Sequence, residues 1–365
     1  MKKIFLTFLF SILFGLPVFA QTIPKPTLDS TEPTSAQKQL ISEGIQLRKE
    51  KRFDEAIVKY QKVLEQNENC TAAIYELSLA YYYDKKLEQA LEVSLVGAKY
   101  RSKLLPLFIQ NIGNITDDQG NPQKAVEFYK QGIKILNDNE GSPVDLSVLH
   151  YNLGLTYARQ KSYKESREVL KKSIEFDFSY PNPNYIIAAV FDATNYKIPA
   201  LLAAGRFITL ENNTQRSKVA AQIITKVMGG NVQKGDKPNS IKIFVNSDAP
   251  TDEGDFGALE LFLGLSKVGA ETLEKNKNKT DEEKFVGQVQ SFVNIFLERG
   301  DKNVKDTFVG KNYLPFYREM KAKGYVEAFA YLILQETGNR NADKWIADNN
   351  NRIFDFVNWA KNFQI

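Results

Sequence analysis

The chain has 365 residues, of which 43% are hydrophobic and 25% charged, and a formal net charge of +4. This composition excludes a mainly disordered chain and suffices for one large or two medium domains, each with a sizeable core. The 48 basic and 44 acidic residues are nearly balanced and form no Lys/Arg cluster, which argues against nucleic acid as the main partner. The single cysteine, Cys70, cannot form an internal disulfide, and we expect it to be a small buried apolar residue.

The first twenty residues are typical of a cleavable signal peptide. Lys2 and Lys3 precede an apolar run from Ile4 to Leu16, and small residues precede the expected cleavage between Ala20 and Gln21. The run is shorter than the roughly 20 residues of a membrane span, so an uncleaved anchor is only the alternative. We expect an exported protein, periplasmic or secreted and of bacterial type, with no membrane span in the mature chain.

A recurring unit follows a short linker. Residues 21–36 contain three prolines and lack apolar periodicity, which predicts an extended linker. From about Gln37 the periodicity is helical, and aligning the chain on Gly44 as an eighth position gives five units spaced by about 34 residues, with one insertion. The units start at Gln37, Thr71, Pro106, Ser147 and Pro181.

Small residues recur at the eighth and twentieth positions of every unit. Two antiparallel helices pack closely where the crossing residues have almost no side chain, so the pattern predicts one helical hairpin per unit. The eighth-position residues are Gly44, Ser78, Gly113, Gly154 and Ala188, and the twentieth-position residues are Ala56, Ala90, Ala125, Ser166 and Ala200.

The rest of the chain also reads as mainly helical. The polar insertion Asn137–Asp145 predicts a surface loop, and residues 215–230 predict a helix that caps the stack. Residues 231–255 predict a connector with one candidate strand, Ile241–Val245, and residues 256–365 predict four or five aromatic-rich helices of no family that we identify. The predicted fold is all-α, with a superhelix of helical hairpins followed by a smaller helical domain.

The repeating unit resembles the tetratricopeptide repeat family over about residues 37–214. Three stretches carry the resemblance, Phe53–Tyr60 (FDEAIVKY), Gly120–Tyr129 (GNPQKAVEFY) and Tyr151–Tyr157 (YNLGLTY). The Trp that the family has at the fourth position and the Pro that it has at the thirty-second are missing here. The resemblance implies a superhelix whose groove binds polypeptides.

The sequence offers little for catalysis. His150 is the only histidine, which excludes multi-histidine metal centres, and its fourth-position place predicts a partly buried structural role. Carboxylate pairs can support glycoside chemistry, but those of this chain lie in turns, connectors or helix starts, where solvation explains them. The pairs are Asp117 with Asp118, Asp252 with Asp255, and Glu282 with Glu283. We predict no enzyme, no cofactor and no metal.

The stronger functional signal lies on the concave groove that the first helices of stacked hairpins are expected to line. Tyrosine offers a flat apolar face and one hydrogen bond, and asparagine both donates and accepts, so the two together suit an extended peptide. The family resemblance implies that Asn111 and Asn152 hold the backbone of the ligand. The predicted site contains Tyr75, Tyr82, Tyr83, Asn111, Asn114, Tyr151, Asn152, Arg159 and Tyr185.

Other interpretations stay open at this point. The C-terminal portion of the chain could itself occupy the groove. The protein could instead be a structural subunit of a cell-envelope assembly that uses its convex face and its C-terminal helices. Residues 256–365 could also form a small-ligand or catalytic domain that the repeats regulate.

Overall fold

The protein is all-α, with seventeen helices and two short two-stranded ladders in the part of the chain that the structure describes. This computed structural model describes residues 22–139, 141–230, 232–234, 241–243, 250–272 and 276–365, so the expected signal peptide and its cleavage site lie outside it. The chain divides into two compact units between Lys161 and Ser162, inside the predicted repeat array. Among the residues described, no helix is both long and apolar enough to cross a membrane.

The first unit is a two-layered stack of helical hairpins. The first helices α1, α3, α5 and α7 pack against one another in succession, and each of α2, α4 and α6 packs against the first helices before and after it in the chain. The helices are α1 (Ser35–Lys49), α2 (Phe53–Gln66), α3 (Thr71–Tyr83), α4 (Leu87–Gly97), α5 (Leu105–Asp118), α6 (Pro122–Asp138) and α7 (Pro143–Arg159).

One backbone conformation recurs at the fifteenth position of all five repeats. A left-handed residue there follows the first helix and turns the chain into the second, as in the usual C-terminal helix caps. Only one of these residues is glycine, although this conformation costs other residues about 1 kcal/mol. The residues and their φ angles are Lys51 (62°), Lys85 (63°), Gly120 (80°), Lys161 (60°) and Asn195 (67°).

The small residues of the repeats lie at helix crossings, as the pattern predicts, and all ten are buried. In two repeats the eighth-position glycine faces the ring of the twenty-fourth residue. A Cβ atom on Gly44 would lie 2.5 Å from Cε1 of Tyr60, and one on Gly113 would lie 2.2 Å from Cε1 of Tyr129. The tyrosine ring therefore fills the space that a side chain at the glycine position would occupy.

The prediction of a surface loop at Asn137–Asp145 is wrong for most of that segment. α6 runs to Asp138 and α7 begins at Pro143, so each has 17 residues, whereas α1 to α5 have 11 to 15. Ser142 caps α7 by accepting a hydrogen bond from the Asp145 N–H at 3.2 Å. The insertion is absorbed as additional helical turns because its ends carry helix-compatible residues and a good N-cap.

The N-terminal linker is extended, as expected, but it is anchored along the first unit. Its strand β1 (Leu28–Asp29) pairs in parallel with β2 (Tyr100–Arg101), which follows α4. At one end Ile23 is buried and its N–H donates to Oε1 of Gln131 on α6 at 3.0 Å. At the other end the Thr31 N–H binds the turn after α2. We call residues 22–34 the strap, since they bind three successive hairpins.

The second unit holds the last hairpins and the C-terminal helices. The predicted capping helix is α11, but it packs against α12 and α15 instead of ending the stack. Six helices follow α11, where four or five were predicted. The candidate strand is described over Ile241–Ile243 (β4), and it pairs with a strand that was not predicted, Val232–Lys234 (β3). The elements are α8 (Tyr163–Phe176), α9 (Pro181–Ala193), α10 (Lys197–Leu210), α11 (Gln215–Met228), β3 (Val232–Lys234), β4 (Ile241–Ile243), α12 (Gly257–Thr272), α13 (Asp281–Asn303), α14 (Phe308–Ala322), α15 (Val326–Glu336), α16 (Arg340–Asp348) and α17 (Asn350–Asn362).

A buried arginine joins α10 to the C-terminal helices of this unit. Arg206 has no exposed surface, and its guanidinium lies 4.4 Å from the ring centre of Phe178 and 4.6 Å from that of Phe316. It donates hydrogen bonds to the Phe178 carbonyl at 3.1 Å and to the Ala360 carbonyl in the last turn of α17 at 2.6 Å. Burial lowers the pKa of this group. The two rings and the carbonyl oxygens offset part of the cost of desolvating the cation.

A buried carboxylate makes part of the stability of this unit depend on pH. Glu282, in the first turn of α13, accepts from Nδ2 of Asn339 at 2.8 Å and of Asn341 at 3.0 Å, and these bonds lower its pKa from 4.5 to about 2. Because the pKa is lowered in the folded state, the stabilisation is complete above pH 4.5 and is lost as the pH falls towards 2.

We therefore expect Glu282→Gln to lower the free energy of unfolding at pH 7, and the difference from the unsubstituted protein to shrink as the pH falls towards 3. Urea denaturation at a series of pH values measures it. Glu298→Gln, on the exposed side of the same helix, is the matched control and should show no such trend. A difference that stays constant from pH 7 to pH 3 would contradict this assignment.

Candidate functional site

Eight of the nine predicted site residues lie on α3, α5 and α7 of the first unit. We call the surface that they form the first-helix face; its residues are Tyr75, Tyr82, Tyr83, Asn111, Asn114, Tyr151, Asn152 and Arg159. The ninth, Tyr185, belongs to α9 in the second unit. There its ring packs 5.0 Å from the ring of Phe207, and the guanidinium of Arg216 lies 5.4 Å from its ring centre. These contacts give Tyr185 a packing role within its own unit.

A polar network joins α3, α5 and α7, which are three of the four first helices of this unit. Tyr82 at the end of α3 donates to Oδ2 of Asp118 on α5 at 2.5 Å, and Asp117 accepts from Nη1 of Arg159 at 2.9 Å and from Thr156 at 3.1 Å, both on α7. Burial, together with the Asp118 carboxylate beside it, raises the pKa of Tyr82 to about 12. The first of the predicted carboxylate pairs is thus engaged in joining successive repeats.

Asn114 is committed to its own hairpin. Its Oδ1 accepts from the Tyr129 hydroxyl at 2.6 Å, which fixes the ring that faces Gly113. Burial raises the pKa of Tyr129 strongly, so the hydroxyl stays a donor at any physiological pH. Asn114 therefore orients the hairpin core through its side-chain carbonyl oxygen.

The α1 and α3 end of the face is aromatic and carries a charge pair. The Tyr82 and Tyr83 rings meet edge to face at 5.5 Å, and the guanidinium of Arg48 lies 5.4 Å from the Tyr83 ring centre. Arg48 also pairs with Glu76 at 2.9 Å. Tyr83 keeps 50% of its surface exposed, so this ring is available to a partner. The sequence analysis did not select Arg48, although Arg48 and Tyr82 both occupy the twelfth position of their repeats.

Asn111 on α5 and Asn152 on α7 have equivalent places, at the sixth position of the third and fourth repeats. In each, the Nδ2 atom is buried and finds no hydrogen-bond partner among the described residues. A buried unpaired donor costs about 1–3 kcal/mol, and native proteins pair nearly all such groups. Rotation about χ2, which is soft in asparagine, turns the amide without moving the helix. The same unpaired donor therefore recurs at the same position of two neighbouring repeats.

The other candidate residues have structural surroundings. His150 is buried, with Nδ1 at 2.8 Å from the Leu146 carbonyl, and Cys70 is fully buried, as predicted. Asp252 accepts from the Tyr196 hydroxyl at 2.6 Å, and the partners of Glu282 are the two asparagines described above. Across the described residues, no group of three or more His, Cys, Asp and Glu side chains is arranged to hold a metal ion.

Comparison with known proteins finds a family match for two of the repeats. Residues 108–139 and 148–180 match the tetratricopeptide repeat model, which confirms the predicted resemblance. A TPR repeat-containing protein of Methanocaldococcus jannaschii is 24% identical over 195 residues, which is 51% of this chain but only 33% of the length of that relative.

Two solved structures align with about half of this chain. PilF of Pseudomonas aeruginosa aligns with a TM-score of 0.45 at 19% identity, over 53% of this chain and 84% of its own. A thermophilic TPR protein of Thermus thermophilus aligns with a TM-score of 0.40 at 16% identity, over 52% of this chain and 99% of its own.

Proposed function

Since the chain carries tetratricopeptide repeats, we propose that it is an exported, non-catalytic scaffold that binds a peptide or protein segment on the first-helix face. The observation that carries the proposal is the pair of buried, unpaired amide nitrogens of Asn111 and Asn152. A backbone carbonyl of a bound segment would pair each of them, so binding would remove a cost that the free protein bears.

The remainder of the face supports the same conclusion. The half-exposed ring of Tyr83 is braced by Tyr82 and by Arg48, and such rigid aromatic surfaces are common anchors at protein interfaces. The acids Asp117 and Asp118 have partners on the neighbouring first helices, so they brace the surface on which a segment would bind.

Export is part of the proposal and rests on the signal-like first twenty residues. The partner would then be a polypeptide of the periplasm, the envelope or the exterior. Mass spectrometry of the N-terminal peptide, from protein recovered from fractionated cells, tests this, with Gln21 as the expected first residue.

The binding proposal is tested with Asn111→Leu and Asn152→Leu combined. Leucine is close to asparagine in size and has no donor to leave unpaired. We therefore expect the free energy of unfolding to rise by about 1 kcal/mol per site, while affinity capture of partners from envelope extracts is lost. Urea denaturation and capture with the tagged chain as bait measure the two effects.

Asn137→Ala, on the exposed side of α6, is the control and should change neither quantity. Partners that are captured equally by the double variant would refute binding at these asparagines. A double variant that is less stable than the unsubstituted protein would mean that the amides hold the fold together.

One observation favours a second surface. Phe354 on α17 is 68% exposed, which is unusual for a phenylalanine and suits the alternative of a structural subunit that assembles through its C-terminal helices. Partners that persist in the asparagine double variant and disappear with Phe354→Ala would favour that alternative.

A further inference from the structure

The strap is held on the first unit by few contacts. Of its residues only Ile23 is buried, and the exposed ion pair of Asp29 with Arg101 adds little stability. Outside the β1–β2 ladder, backbone N–H groups of the strap donate to acceptors on three successive hairpins. These bonds run from Ile23 to Oε1 of Gln131 at 3.0 Å, from Thr27 and Leu28 to the Lys99 carbonyl at 2.9 Å each, and from Thr31 to the Asn69 carbonyl at 3.0 Å. A segment with so few buried contacts opens at a lower free energy than the helices on which it lies.

The first hairpin has its own start and its own packing, apart from the strap. α1 begins at a capping box, in which Oγ1 of Thr34 accepts from the Gln37 N–H at 3.3 Å and Oε1 of Gln37 accepts from the Thr34 N–H at 3.0 Å. The Tyr60 ring packs on Gly44 where α1 crosses α2. Detachment of the strap therefore leaves the hairpin with its cap and its crossing.

Three prolines favour an extended strap, whether it is attached or detached. Pro24, Pro26 and Pro33 fix their own φ near −65°, and they disfavour the helical conformation in the residue before each of them. They lie between the positions that donate to the hairpins, so their missing N–H groups interrupt none of those bonds. A detached strap thus stays close to its bound shape and loses little conformational entropy when it binds again.

The surface under the strap has the groups that bind a strand. We call it the strap seam, and it consists of Asn69, Lys99, β2 and Gln131. Without the strap, the Lys99 and Asn69 carbonyls and Oε1 of Gln131 lose their donors, β2 loses its partner strand, and the site of Ile23 loses its side chain. Such an edge is a template for strand addition, in which main-chain bonds give affinity and side-chain pockets give specificity.

We infer that the strap is a displaceable internal ligand and that the strap seam binds an extended polypeptide segment of a partner. The segment has an apolar side chain of the size of isoleucine at the place of Ile23. It also has N–H groups four, five and eight residues further on, where Thr27, Leu28 and Thr31 have theirs. The strap seam shares no residue with the first-helix face, so this inference goes beyond the proposed function.

Amide hydrogen exchange on the unsubstituted protein tests whether the strap detaches. The N–H groups of Ile23, Leu28 and Thr31 should exchange at least about a hundredfold faster than those in the middle of α4 and α6, because the strap opens while the helices stay folded. Exchange of the strap at the rate of these helices would show that it leaves only when the unit unfolds, and would overturn the inference.

A fluorescein-labelled peptide with the sequence of residues 22–34 tests the strap seam by anisotropy titration. Ile23→Asp and Leu28→Pro, combined in the full chain, place a charge at a buried site and remove a donor, so they free the strap seam. The peptide should bind this double variant at least about tenfold tighter than the unsubstituted protein, whose own strap competes at a high effective concentration. Lys25→Asp, at an exposed strap position, is the control and should behave like the unsubstituted protein.

A second peptide, which carries Ile23→Asp, separates strand addition from non-specific adhesion. It should bind the double variant at least about tenfold more weakly than the first peptide does, since the apolar anchor is lost. Equal binding of the two peptides, or a first peptide that binds the double variant no better than the unsubstituted protein, would overturn the inference. A double variant without the helical circular dichroism of the unsubstituted protein would show that the hairpins need the strap, and would overturn it as well.

Discussion

Gly113→Ala is expected to lower the free energy of unfolding by about 3 kcal/mol, a large effect for one methyl group. The new Cβ atom would lie 2.2 Å from Cε1 and 2.4 Å from Cζ of Tyr129. The ring cannot move aside, since it is buried and its hydroxyl is bonded to Asn114. Urea denaturation followed by circular dichroism measures the loss.

Two controls isolate the steric cause. Gly287→Ala, in α13, introduces the same methyl group where no atom lies within 4 Å, and alanine should there stabilise the helix by up to about 1 kcal/mol. In a Tyr129→Ala background the ring is gone, so adding Gly113→Ala should cost almost nothing. An equal cost with and without the ring would show that the clash is not the cause.

Arg206→Met is expected to lower the free energy of unfolding by about 4 kcal/mol. Methionine fills much of the volume but removes the guanidinium donor from the buried Phe178 carbonyl, at about 1–3 kcal/mol. It also leaves the Ala360 carbonyl with only the longer bond from the Phe363 N–H at 3.4 Å, and it removes the cation beside the rings of Phe178 and Phe316. Because Ala360 lies in the last turn of α17, amide hydrogen exchange should also quicken in that helix more than elsewhere.

Arg299→Met, on the exposed surface of α13, should change stability by less than about 0.5 kcal/mol and serves as the comparison. Replacing buried charged groups with apolar ones is sometimes neutral. An Arg206→Met protein as stable as the unsubstituted one would show that the hydrogen bonds and ring contacts of Arg206 contribute no net stability.

The repeats were predictable because close helix packing leaves its mark in local sequence. Glycine, serine and alanine at two fixed positions gave the register of five hairpins, and the structure buries all ten. The left-handed residue after each first helix was not predictable, since lysine occupies it in three repeats and the turn geometry overrides its preference. The insertion was misread because its polar residues suit a helix end as well as a loop.

The features that depend on contacts distant in sequence could not be predicted. No local pattern marks Arg206 as buried, and its hydrogen-bond partners come from segments up to 154 residues away. The helix boundary at Asn349, which raises the count of C-terminal helices to six, is a one-residue break within a continuous helical pattern. At the site, repeat positions led to Asn111 and Asn152, but the bonds of Asp117 with Arg159 and Thr156 needed the structure.

The strap changes how the first unit would respond to mechanical load. Repeat stacks ordinarily open from their ends, because a terminal hairpin has only one neighbour. Here residues 22–34 fasten the first hairpin to α6 and to the β2 strand, so force applied at the N-terminus first shears the short β1–β2 ladder and the Ile23 anchor. The hairpins of the first-helix face would stay closed until that fastening fails, so a partner bound there would remain bound while the N-terminus is pulled.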